Sequence, residues 1–136
     1  MTAIAVDTNA YSAFSKGHPD AVEIFSRADH LITSTIVVGE LRAGFAAGSR
    51  AAINERDLTR FLASSRVSVQ DVDERVATVY AVVYLQLRQA GKPVPTNDLW
   101  IASSALVAGV ALFTFDVHFR HVDGLSVVFR WSDVVQ

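Results

Sequence analysis

Short apolar runs alternate along this chain with longer stretches in which hydrophobic residues recur every three or four positions. The first run, Ala3-Ile4-Ala5-Val6, is too short for a helix and stops at Asp7, so it reads as a strand. A helix is expected over residues 8–15, broken by Gly17-His18-Pro19-Asp20. Pro19 suits the start of a second helix to about residue 28, because a first-turn N–H has no helical partner to lose. His30-Leu31-Ile32-Thr33-Ser34 is a second strand, after which Thr35 is placed to cap a helix that reaches Ala47 and ends at Gly48. Residues 49–65 read as a helix with Ile53, Leu58, Phe61 and Leu62 as its apolar stripe.

The second half repeats the alternation. Val67-Ser68-Val69 is a third short strand, and Asp71, Asp73 and Glu74 favour the positive end of the next helix. Val76, Tyr80, Val83 and Leu87 share one face of that helix, which Ala90-Gly91 ends. After the loop Gly91-Lys92-Pro93-Val94-Pro95, Thr96 or Asn97 is placed to cap a helix over 98–108. A fourth strand follows over 111–115, and a weaker fifth over 126–129. This order predicts an α/β fold with a mostly parallel sheet of four or five strands, helices on both faces and right-handed crossovers. No repeat, low-complexity tract or linker divides residues 1–136, so one domain is expected.

Composition narrows the class. The 136 residues are 51% hydrophobic and 19% charged, enough to bury a core without covalent staples. Cysteine is absent, which excludes disulfides and thiolate metal sites. No basic segment precedes the first apolar run and Asp7 interrupts it, so a secretory signal is not expected and the cytoplasm is the default compartment. Residues 99–115 carry no charge, yet Ser103, Ser104 and Gly109 lie within them and Asp98 and Asp116 bound them. A buried helix, a stop and a buried strand account for that stretch better than a membrane span. The net charge of −2 is unlike that of a nucleic-acid binder. Two bound divalent ions would reverse its sign, so a local basic rim matters more than the global balance.

Four carboxylates stand where strand should give way to helix or interrupt an apolar segment: Asp7, Glu40, Asp98 and Asp116. Each alone has an ordinary role, as a helix cap, a surface ion pair, a first-turn acid or a turn residue. Glu40 shares a helical face with Val37, Leu41 and Gly44, which points it towards the apolar side. Together they fall near one carboxyl edge of the sheet, where open α/β folds bind ligands. Gathered acids repel one another unless a cation joins them. Hard oxygen donors without His or Cys select Mg²⁺ or Mn²⁺ over zinc. Such ions activate water for in-line hydrolysis of a phosphodiester.

The segments Val6-Asp7-Thr8-Asn9, Gly39-Glu40-Leu41, Thr96-Asn97-Asp98-Leu99-Trp100-Ile101-Ala102 and Thr114-Phe115-Asp116-Val117-His118-Phe119 resemble, in order, the motifs of PIN-domain ribonucleases. Within that superfamily the chain most resembles the VapC toxins of bacterial toxin–antitoxin pairs, from end to end. The resemblance implies a three-layer PIN-like fold and a Mg²⁺- or Mn²⁺-dependent endoribonuclease with Asp7, Glu40, Asp98 and Asp116 as metal-binding acids. It also implies Thr114 and Asn9 as supporting residues behind them, a homodimer, and a cognate VapB-type antitoxin in a heterotetramer or larger assembly. Operator DNA would be met only through the antitoxin. Many relatives carry a further acid two residues after the last, where this chain has His118, which leaves one-metal and two-metal chemistry both open.

Arg42, Lys16, Arg120 and His121 lie near expected carboxyl-edge loops and are candidates for RNA phosphates. Tyr11, Phe14, Phe45 and Trp100 are candidates for base stacking, with core packing the alternative for each. The apolar segment 36–45 could form a groove for an amphipathic antitoxin helix. A different class is a PIN-like binding module without catalysis, whose acidic pocket receives a partner's arginine. A phosphatase built on Asp7 is less suited, since Asn9 stands where nucleophile-type phosphatases carry a second acid.

Overall fold

In the computed structural model, which describes residues 1–134, Ala3–Val6 forms the central strand β1 of a five-stranded sheet. Its neighbours are β2 (His30–Ser34) and β4 (Ala111–Phe113), and the edges are β3 (Val67–Gln70) and β5 (Val127–Val128). The order is β3-β2-β1-β4-β5 and every pairing is parallel. Register pairs Val6 with Phe113 and Ser34 with Gln70, so the strands finish along a common edge. Ile4, Ala5, Val6, Leu112 and Phe113 are all buried, as expected where helices cover both faces of a parallel sheet.

The helices are α1 (Thr8–Ser15), α2 (Pro19–Arg27), α3 (Thr35–Ala47), α4 (Ala51–Leu62), α5 (Glu74–Gln89) and α6 (Thr96–Ala108). Aromatic rings knit several of them together. Phe14 of α1 stacks on Phe25 of α2 at 4.2 Å, and Phe61 of α4 joins them. On α5 and α6, Tyr80 stacks on Trp100 at 4.0 Å. Gly109, with φ of 70°, ends α6 in the left-handed conformation that a side chain would disfavour and turns the chain into β4.

Several boundaries differ from expectation for local reasons. Ser34, not Thr35, caps α3, its hydroxyl accepting the Val37 N–H at 3.3 Å. Neither Thr96 nor Asn97 caps α6: both lie within the helix, which begins after Pro95, and the Asn97 carboxamide donates to Glu40. Helix α4 is shorter than 49–65, and Ile53 of its expected stripe is 41% exposed. Strand β4 stops at Phe113, since the Phe115 N–H turns away to Asn9, and β5 contains only Val127 and Val128. No helix among the described residues is long and apolar enough to cross a membrane.

Candidate active site

The end of β1 and the start of α1 meet at Asp7, which caps the helix and is only 4% exposed. Its Oδ1 accepts the Thr8 N–H at 2.8 Å and its Oδ2 accepts the Thr114 hydroxyl at 2.7 Å. Burial pushes the Asp7 carboxyl above the ordinary aspartate range, and the charges of Glu40 and Asp116 push the same way. The bonds from Thr114 and Thr8 work against that shift by favouring the carboxylate.

Glu40 reaches the same region from α3. Its Oε1 accepts the Thr8 hydroxyl at 2.6 Å and its Oε2 accepts the Asn97 carboxamide at 3.2 Å. Val37 and Leu41 on its helix are buried as expected, whereas Gly44 is exposed, so the shared face is apolar only at its start. Asp98, in the first turn of α6, is half-buried. Burial, followed by the charges of Asp7, Asp116 and Glu40, pushes its carboxyl up to about 6, with His118 opposing. Asp116 caps the short 3-10 helix Val117–His121, where its Oδ1 accepts the His118 N–H at 2.9 Å and lies 2.8 Å from His118 Nδ1.

Asp7, Glu40, Asp98 and Asp116 therefore act on one another electrostatically near the carboxyl edge of the sheet. Thr114 and Asn9 stand behind them. Thr114 Oγ1 accepts the Asp116 N–H at 3.0 Å, and Asn9 Oδ1 accepts the Phe115 N–H at 3.1 Å. Two further residues, Thr8 and Asn97, were not foreseen as partners of Glu40; each adjoins an acid in the sequence, which is the signal that could have found them. Among the described residues no trio of His, Asp and Glu closes into a ready-made metal cage. The carboxylate donor set still fits Mg²⁺ or Mn²⁺, because such ions keep several waters and take few protein ligands.

The basic and aromatic candidates fare differently. Arg42 is paired with Glu55 at 2.9 Å, and the Arg120 guanidinium lies over the Phe129 ring at 4.5 Å. Lys16 is exposed just past α1. Tyr11 is buried and packs against Phe14 and Phe61, while Trp100 is taken by Tyr80, so these rings serve packing. Phe45 of the 36–45 segment lines a cavity of about 400 Å³ with Tyr11, Arg50, Ile53 and Asp57.

The PIN domain family model matches residues 4–125, and the chain belongs to that family. Among sequences it is similar to Ribonuclease VapC4 of Mycobacterium tuberculosis, at 32% identity over 95 residues, covering 70% of this chain and 73% of that protein. Two solved structures resemble it closely. One is VapBC2 from Rickettsia felis bound to a DNA fragment from its promoter, with a TM-score of 0.81 and 25% identity, covering 93% of this chain and 97% of that one. The other is VapBC-1 from nontypeable Haemophilus influenzae, with a TM-score of 0.81 and 27% identity, covering 93% and 96%.

Proposed function

We propose that this chain is a Mg²⁺- or Mn²⁺-dependent endoribonuclease, the toxin of a VapBC-type pair, acting in the cytoplasm as one PIN domain over residues 1–136. The observation that carries this is the meeting of four acids from the ends of β1 and β4 and from α3 and α6: burial first, and then the charges of Asp7, Asp116 and Glu40, push the Asp98 carboxyl up to about 6, and a cation would relieve that repulsion. Asp7 and Asp98 would hold the ion, with Asp116 and Glu40 completing the negative pocket. When bound, such an ion supplies an acidified water and neutralises charge on the scissile phosphate. The Thr114 hydroxyl orients Asp7 and favours its carboxylate form against the effect of burial, and Thr8 and Asn97 fix the direction of Glu40. A VapB-type antitoxin is the expected partner, as in the VapBC complexes named above, with toxin dimers forming a heterotetramer or larger assembly and operator DNA contacted through the antitoxin.

Purified protein incubated with total RNA should cut it in Mn²⁺ and leave it intact in chelator. Identical RNA profiles in the two conditions would remove the nuclease assignment.

A further inference from the structure

Asn9, which braces the acid pocket through Thr114 and Phe115, also lines an open groove of about 610 Å³. The groove follows α1. Ser12, Ala13 and Lys16 lie three, four and seven positions beyond Asn9, so all four share one helical face. From Asp7 to Lys16 the helix rises roughly 13 Å, at about 1.5 Å per residue, which is longer than one nucleotide. Phe115 and His18 form the opposite wall, their rings 4.9 Å apart.

Charge distinguishes this groove from its surroundings. No carboxylate lines it, and no acid side chain pairs with Lys16 among the described residues. The cavity on the other side of Lys16 holds a carboxylate, Asp57, beside Arg50, so its charge is mixed. Phe115 is held in place rather than free, because its N–H is bonded to Asn9 and its ring packs edge-on against Phe113 at 5.4 Å. A fixed aromatic wall beside an unpaired cation is the combination that binds single-stranded nucleic acid, with stacking for a base and charge for a phosphate.

We propose that this groove carries the single-stranded RNA adjoining the scissile phosphate, with Lys16 on a backbone phosphate and Phe115 against a base. This rests on the nuclease assignment and adds to it the direction in which the strand leaves the pocket. The test uses the full chain carrying Asp98→Asn, so that a fluorescent single-stranded RNA of mixed sequence survives while its affinity is measured across a salt series. Lys16→Ala in that background should lower the slope of log affinity on log salt by about 0.7, one phosphate contact on a single strand. Phe115→Leu keeps the apolar contact with Phe113 and should weaken binding about tenfold with the slope unchanged. Lys92→Ala, in the loop before α6, should change neither.

Parent-like RNA binding by both groove variants would overturn the proposal, and so would loss of an antitoxin-type peptide with RNA binding retained. If the unmodified protein still cuts RNA in Mn²⁺ under either outcome, the nuclease assignment stands and only the groove falls. If the unmodified protein neither binds nor cuts RNA, both fall.

Discussion

The Thr114 hydroxyl donates to Asp7 Oδ2 at 2.7 Å, joining residues 107 positions apart, and accepts the Asp116 N–H at 3.0 Å. One side chain thus ties together two acids of the pocket. Thr114→Val should lower Mn²⁺ affinity at neutral pH about 10- to 100-fold, the usual cost of losing a residue that orients a metal ligand. Thr114→Ser should restore most of it. Calorimetric titration of the metal compares the three proteins directly, and equal affinities would show that the hydroxyl plays no part in metal capture.

Asp7→Asn and Asp98→Asn should each reduce RNA cleavage on the order of a thousandfold, since metal-assisted charge stabilisation contributes several kcal/mol to such reactions. Both variants should retain the far-UV circular dichroism of the parent. Undiminished metal-dependent cleavage by either would assign that acid a structural role.

The pH dependence of stability has a definite sign. The Asp98 carboxyl titrates near 6 in the folded chain against an ordinary value of 3.8, so folding favours its protonated form. In metal-free protein its penalty is absent below about pH 4, grows as pH rises, and is complete above about pH 6. Asp7 is shifted in the same direction by its burial. Because Asp98 is only half-buried, solvent screening reduces the effect to on the order of 1 kcal/mol. Urea titrations from about pH 4 to 7 should show Asp98→Asn gaining on the parent as pH rises. A constant difference across that window would contradict the coupling among the acids.

Metal should relieve the same repulsion. At about one hundred times the dissociation constant, Mn²⁺ should stabilise the folded chain by about 2.7 kcal/mol, and removal by chelator should reverse it. Asp98→Asn should lose most of this gain. Equal metal-induced shifts in melting temperature for the two proteins would place the ion elsewhere.

Much of this architecture was legible from local pattern. Ile4, Ala5 and Val6 announce a strand buried on both faces, and the break at Gly17-His18-Pro19 separates α1 from α2 as periodicity predicts. Asp7 and Asp116 could be placed at one edge because each follows an apolar run. The roles of Thr8 and Asn97 could not be read this way. Both act on Glu40, which comes from α3, 32 positions after Thr8 and 57 before Asn97, and Asn97 looked instead like a helix cap. Strand ends were misplaced for a similar reason: after Thr114, whose N–H still meets the Val128 carbonyl, the Phe115 N–H goes to the side chain of Asn9, 106 positions away, and not to a neighbouring strand. The pairing of Arg42 with Glu55 of α4 was likewise not visible in the sequence.

The central position of β1 has a consequence for how the protein comes into being. Asp7 is synthesised long before the strand that must lie beside it and before the Thr114 hydroxyl that braces it, 107 positions further on. A nascent chain therefore holds only half of its acid cluster until β4 has been made. Translation order itself delays completion of the site until that strand joins the sheet.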